Sequence, residues 1–356
     1  MELPRFDLVD WLVANAGAPH DLATSAIAPV DIADLGIKIE RLSMMYAEVG
    51  GSKALRKLLS DVYGVKDESI TVSCGCQEAN YLAAAAFLKP GDKVAAETPC
   101  YLPVLRMPAL LGCKIIPLRR RPSASFDVEM HILEDVLGKG AKAVFLTNLH
   151  NPSGRMAREP QLQEICDAVE RHRALLVMDE VYREFNPRPP PMAFHLSENA
   201  VSTNSLSKAY GMGGARVGWA FAHGPLPMKM QRVKDYTTVI CAGMSELVAV
   251  AALEKRDGIL ARARKIVSEN LSALDDWMAR QRTFRWTRPD EANISFPKLP
   301  PGTKSVDFCR KALKRGVLLA PGKYLGLEGY VRFTCGTLPE KFRASLRALE
   351  PMVEGA

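Results

Sequence analysis

The sequence predicts an α/β protein: a three-layer, mostly parallel sheet in a larger domain, joined to a smaller α+β domain. Two observations predict it. Between about Ser52 and Thr237, short apolar runs rich in β-branched residues alternate with helical patterns. Nearly unbroken apolar strands separated by helices mark a parallel sheet covered on both faces. After Ser245 the rhythm changes to one long helical stretch followed by short strand-like pieces. The boundaries that follow are 36–250 for the larger domain, with 1–35 and 251–356 forming the smaller one. The chain's 356 residues are enough for two such units.

The predicted strands lie at 93–97, 114–118, 143–149, 175–179, 201–207 and 217–222, and the helices between them at 52–63, 77–88, 104–111, 160–172 and 227–237. In the smaller domain the pattern predicts helices at 6–15, 245–281, 305–315 and 339–353, and strands at 292–296 and 330–334. A parallel sheet of this kind binds ligands beyond the carboxyl ends of its strands, so residues just past those ends are the ones to examine.

Composition excludes several function classes. Hydrophobic residues make up 47% and charged residues 24%, ordinary for a globular chain. The longest apolar runs fall far short of the roughly 20 residues that span a bilayer, and no basic-then-apolar leader opens the sequence. No membrane association and a cytoplasmic location are therefore expected. The formal charge of +7 is spread out, with Arg119-Arg120-Arg121 the one tight run. Such a run reads as a solvated loop, and no nucleic-acid partner is expected. The eight cysteines include no CxxC pair, so no metal site is expected, and they read as small buried apolar residues.

Four segments carry chemistry. The first is Ser205-Leu206-Ser207-Lys208-Ala209-Tyr210, running into a Gly-rich loop with Arg216 and Gly218. A lysine closing a buried strand has its charged form disfavoured, and a neutral amine is what condensation with an aldehyde needs. Ser205 and Arg216 offer a hydroxyl and a guanidinium to a phosphate. The plainer reading is a surface lysine beside a glycine hinge. The second is Asp179-Glu180-Val181-Tyr182 at a strand end, where an acid can pair with a protonated pyridine nitrogen or simply begin a turn. The third, Asn148-Leu149-His150-Asn151-Pro152-Ser153-Gly154, places Asn151 to donate to a phenolate oxygen, or forms an Asn-Pro turn. The fourth, Ser73-Cys74-Gly75-Cys76-Gln77, opens a helix whose free N–H groups suit a phosphate.

Together these segments, in order and spacing, resemble the fold-type I pyridoxal-5′-phosphate (PLP) aminotransferases of class I/II over about 22–353, and the resemblance implies the PLP-transferase fold. The family's Ser-x-Ser-Lys with a later Gly-x-Arg-x-Gly stands here as Ser205 to Lys208 and Gly214 to Gly218. Its Asn-Pro-x-Asn-Pro-Thr-Gly motif is present with Leu149 for proline and Ser153 for threonine. The resemblance implies a Schiff base on Lys208, ring stacking by Tyr101, and Asp179 on the ring nitrogen. It implies Tyr182 and Asn151 on the phenolate oxygen, and Cys76, Gln77, Ser205 and Arg216 on the phosphate. Arg332 matches the arginine that grips the substrate carboxylate, with Asn151 and Tyr101 beside it. Tyr46 matches a tyrosine that reaches the neighbouring subunit's active site, so a homodimer is implied. The segment Ala23-Thr24-Ser25-Ala26-Ile27 stands where the family carries a Gly-rich substrate contact, which makes Ser25 a candidate.

The activity so implied is transfer of an amino group between an amino acid and a 2-oxo acid, with Lys208, Asp179 and Tyr101 catalytic. The stretch 232–246 is similar to capreomycidine synthase-like enzymes, which cyclise a hydroxyarginine, so a PLP-dependent lyase or cyclase is the alternative. A PLP-binding regulator would carry a DNA-binding module, for which the chain has no room.

Overall fold

A computed structural model describes residues 5–37 and 47–353. After a two-residue strand β1 (His20–Asp21), the chain builds one sheet from β2 (Ile70–Ser73), β3 (Lys93–Thr98), β4 (Lys114–Arg119), β5 (Ala143–Thr147), β6 (Leu175–Asp179), β7 (Ala200–Ser205) and β8 (Gly218–Phe221). Their spatial order is β2-β8-β7-β6-β5-β3-β4. β3, β4, β5, β6 and β7 pair in parallel, while β8 runs antiparallel to both of its neighbours.

Alternation along the strands assigns the two covering layers. Phe145, Val177 and Val201 face a cluster with Leu82, Ala83 and Met230, from helices Cys76–Phe87 and Leu226–Lys234. Val144, Leu146, Leu176 and Met178 face the opposite cluster, with Leu133, Val136, Ile165 and Val169 from helices Met130–Gly138 and Glu159–Arg171. Residues of both parities are thus buried, which is why these strands read as unbroken apolar runs. Local signals place the helices just as plainly. In helix Lys53–Tyr63, Ser52 caps the first turn by accepting from the Leu55 amide, and Gly64 ends the helix at φ 63°, a left-handed position that glycine adopts without strain. Leu55, Leu59 and Tyr63 form its buried stripe.

The remaining strands are β9 (Ile294–Ser295), β10 (Val317–Leu318), β11 (Ala320–Pro321) and β12 (Val331–Thr334). β11, β12 and β9 make a three-stranded antiparallel sheet, against which Trp277 and Phe284 pack through Phe333. β10 pairs in parallel with β1.

The predicted strands and helices of the large sheet are present with ends shifted by a few residues. Additional elements around this sheet include β2 and the helices Met130–Gly138 and Ala193–Leu196. The expected helix 245–281 is two helices, Gly243–Glu254 and Arg256–Ala279, separated at Lys255. The reading of Arg119-Arg120-Arg121 as a solvated loop is corrected. Arg119 ends β4, and Arg120 is buried, pairing with Glu97 at 2.8 Å and donating to the Phe126 carbonyl at 2.6 Å. Arg119 and Arg121 are exposed, Arg121 pairing with Glu129, so the correction concerns Arg120 and the strand position of Arg119. All eight cysteines are free and seven are buried, Cys74 being the exception. No group of His, Cys, Asp and Glu among the described residues could hold a metal ion.

Candidate active site

One edge of the large sheet collects the chemistry. Asp179 is the last residue of β6, and Tyr101, Cys76 and Lys208 each stand three residues past the ends of β3, β2 and β7. Asn151 follows β5 by four residues, and Arg216 precedes the reversed strand β8 by two. Lys208, Asp179, Tyr101, Cys76, Gln77, Asn151, Tyr182, Ser205, Arg216 and Ser25 all line one cavity of about 170 Å³. Arg332, on β12, stands behind Asn151. Tyr46 lies outside the described residues.

The Lys208 amine donates to Ser25 Oγ at 3.0 Å and lies 5.7 Å from the centre of the Tyr182 ring. Burial, and then repulsion by Arg332, lower its pKa to about 8, against the opposing pull of Asp179. A substantial neutral fraction therefore exists near neutral pH. Ser25 Oγ also accepts from the Tyr182 hydroxyl at 3.0 Å, so one small side chain joins amine and phenol. Burial pushes the Tyr182 and Tyr101 phenols up to about 12, and both stay protonated at neutral pH.

Asp179 is buried beneath this amine. Burial raises its carboxyl above the ordinary range, while donation from Asn80 Nδ2 at 2.8 Å and the Val181 amide at 3.1 Å favours the carboxylate. Asn80 is itself fixed by Thr203, whose hydroxyl donates to Asn80 Oδ1 at 2.6 Å and accepts from Cys76 Sγ at 3.2 Å. This chain from helix to sheet holds the acid in one orientation. Sequence reading missed Asn80 and Thr203. A signal existed for Asn80, a lone amide on the buried, alanine-rich face of a helix one turn after Cys76.

Asn151 is locked on three sides. Its amide donates to Thr147 Oγ1 at 3.1 Å, its Nδ2 to the Tyr182 hydroxyl at 3.3 Å, and its Oδ1 accepts from Arg332 Nη1 at 3.0 Å. Thr147 in turn donates to Glu97 Oε1 at 2.5 Å, so the buried Arg120–Glu97 pair underlies this loop. Arg332 gives its other terminal nitrogen to the Ala23 carbonyl at 2.7 Å. Its Nε has no partner among the described residues, an unmet donor on a buried cation, and Arg332 itself does not line the cavity. His150, in the same loop, is a buried bridge: its ring nitrogens meet Ser153 Oγ at 2.7 Å and the Pro99 carbonyl at 2.8 Å.

An anion fits opposite the acid. Helix Cys76–Phe87 points its first free amides into the cavity behind Gly75, at φ 96°. Arg216, which has no carboxylate partner among the described residues, donates to the Cys74 carbonyl at 2.9 Å and the Gly213 carbonyl at 3.0 Å. Ser205 Oγ sits beside them, accepting from the Ser207 amide at 3.2 Å. Space here is set by absent side chains. A Cβ on Gly75 would lie 2.5 Å from Arg216 Nη2, and one on Gly218 would lie 2.5 Å from the Gly75 carbonyl carbon. A phosphate cradle, a largely deprotonatable amine and a buried acid on one cavity are the donor set that PLP requires, and the residues present fit it.

Comparison with known proteins places this geometry. The family model for aminotransferase class I and II matches residues 15–349. Capreomycidine synthase of Streptomyces vinaceus is 28% identical over 351 residues, covering 94% of this chain and 90% of that protein. Histidinol-phosphate aminotransferase of Symbiobacterium thermophilum is 28% identical over 303 residues, covering 85% and 81%. Among solved structures, a PLP-dependent aminotransferase from Streptococcus suis superposes with a TM-score of 0.95 at 29% identity, over 100% of this chain and 99% of that one.

Proposed function

We propose that this chain, which belongs to the aminotransferase class I and II family and so is a PLP-dependent enzyme, moves an amino group between an amino acid and a 2-oxo acid. The observation that carries this reading is the Lys208 amine, brought to a pKa of about 8 at the mouth of a cavity that also holds Asp179. When bound, PLP supplies an aldehyde that takes the amino group and a ring that draws electrons from the substrate's Cα. In this assignment Lys208 Nζ would be the base that takes the proton from the substrate's Cα and holds it within the site. Asp179, held by Asn80, keeps a proton on the ring nitrogen, and Tyr182 and Asn151 donate to the ring oxygen. Tyr101 packs on the ring, while Ser205, Arg216 and the amides of Cys76 and Gln77 hold the phosphate. Arg332, preorganised by Asn151 and Ala23, presents its fork to the substrate carboxylate. Ser25 gives the departing amine a hydroxyl to bond.

The division into 36–250 and 1–35 with 251–356 belongs to the same proposal, supported by a seven-stranded sheet that lies wholly within 36–250 and by two- and three-stranded sheets built from the remaining residues. So do a cytoplasmic location and a homodimer in which Tyr46 reaches the neighbouring site. No helix among the described residues is long and apolar enough to cross a membrane. A second reading, a PLP-dependent lyase or cyclase, is favoured by the similarity to capreomycidine synthase. Mixing the purified enzyme with single amino acids separates the two. Transamination converts the bound cofactor to its amino form and yields one 2-oxo acid per site with no ammonia. Ammonia release without an oxo-acid acceptor, or a cyclic product, overturns it.

A further inference from the structure

Beside the phosphate cradle, and unused by the proposed reaction, two cysteines from distant parts of the chain meet. Cys74 Sγ and Cys241 Sγ are 3.6 Å apart. Cys74 stands in the turn after β2, one residue before Gly75, and Cys241 in the connection between helices Leu226–Lys234 and Gly243–Glu254. Lys234 Nζ, wholly buried, lies 3.5 Å from Cys241 Sγ and donates to the Val72 carbonyl at 2.9 Å. It has no carboxylate partner among the described residues. A buried cation calls for a nearby negative charge, and the thiol pair is the group in contact that can supply one. Access exists on one side, because Cys74 is the one cysteine not fully buried and lines an open apolar pocket with Phe6, Tyr81, Leu102 and Arg106.

We infer that Cys74 and Cys241 form a reversible oxidation site, closed to a disulfide by peroxide, whose closure loosens the phosphate end of the cofactor site. The shared S–H hydrogen bond, helped by Lys234, lowers the Cys74 thiol against burial and the Glu78 carboxylate, so this half-buried member is the first nucleophile. Its thiolate attacks one peroxide oxygen; the O–O bond breaks, and hydroxide leaves and is protonated to water. The sulfur of Cys241 then attacks the resulting sulfenic acid. The S–O bond breaks, and hydroxide takes the Cys241 proton to give a second water. Two thiols are oxidised and one peroxide is reduced. Closing 3.6 Å to a bond of about 2.05 Å draws the sulfurs together by roughly 1.5 Å. The Cys74 carbonyl that anchors Arg216 lies on the chain so moved.

The effect on PLP rests on the phosphate role proposed for Arg216, whereas the disulfide does not. The holoenzyme is treated with hydrogen peroxide, remaining thiols are alkylated, and unreduced peptides are sequenced by mass spectrometry. The expected result is a peptide joining Cys74 to Cys241, lost on adding dithiothreitol, with a Kd for PLP raised roughly tenfold, the scale of one weakened charge-assisted contact. In Cys241→Ser the same treatment leaves the PLP Kd unchanged. If oxidation joins neither cysteine to the other, the site is overturned. If the joined peptide forms at an unchanged Kd, the coupling to the cofactor is overturned.

Discussion

Lys208 offers the sharpest test, because its neighbours push its proton affinity in opposite directions. Its pKa is lowered from 10.5 to about 8, first by burial and then by Arg332, while Asp179 opposes. At pH 7 about one amine in ten is then neutral, against about one in three thousand for a lysine in water, a gain of about 300-fold in the reactive form. Competitive acetylation of the apoenzyme with trace acetic anhydride, read by mass spectrometry on the Lys208 peptide, measures this directly. Reactivity should rise tenfold per pH unit and level off near 8. Replacing Arg332 by Gln should move the plateau upward in pH, and Asp179→Asn should move it down. The sign also fixes a stability effect. Between about 8 and 10.5 the unfolded chain binds a proton that the folded one does not, so apoenzyme stability rises with pH across that window. A plateau above 10 in the native protein, or shifts of the same sign in both variants, would refute the account.

Other perturbations reach other parts of the site. Lys208→Ala should abolish turnover and the absorbance of the lysine-linked cofactor; retained activity in steady-state assays overturns the assignment. Arg332→Ala removes a charge-assisted fork worth about 3 kcal/mol and should raise KM for amino acids by roughly two orders of magnitude, with a smaller fall in kcat. Gly218→Ala puts a methyl group 2.5 Å from the Gly75 carbonyl carbon and 2.6 Å from the Cys76 amide nitrogen. Overpacking of this kind costs about 1–3 kcal/mol, so denaturant titration should find a weaker fold and PLP titration a raised Kd. Arg120→Met strands Glu97 in the core, where burial already raises its carboxyl. A loss of about 3–5 kcal/mol is expected in urea unfolding, and Glu97→Gln in the same chain should recover part of it.

Much of the architecture was legible in sequence because parallel strands leave a strong local trace. The run at 175–179 is β6 to the residue, and the Ser205-to-Lys208 motif stands where a strand gives out. The elements that escaped have weaker traces. β2 has four residues and no flanking turn pair, and helix Met130–Gly138 follows a loop without a capping side chain. Lys255 interrupts a helical pattern at a position that is neither glycine nor proline, while the nearby Gly258 lies inside the second helix, so the sequence did not mark the break. Of the site, the residues next to strand ends could be read. The supports could not, since Asn80 meets Asp179 across 99 residues and Arg120 meets Glu97 across 23. Such pairings have no period, only a shared place in the fold. Buried polar residues inside apolar runs were the one available hint.

The reversal of β8 has a consequence for how this site can change. Because that strand begins where its neighbours finish, Lys208 and Arg216 belong to a single short connection, closed by the Leu206 amide on the Val217 carbonyl at 3.1 Å. The span between the amine and the guanidinium is therefore gauged by one loop, like the jaws of a caliper cut from one piece. Arg332 comes from a different sheet, and among the described residues its hydrogen bonds lead toward that gauge through Asn151 and the segment of Ser25. Substitutions along 292–335 thus act on the proposed carboxylate grip first and reach the Lys208–Arg216 connection through the bridges at Asn151 and Ser25.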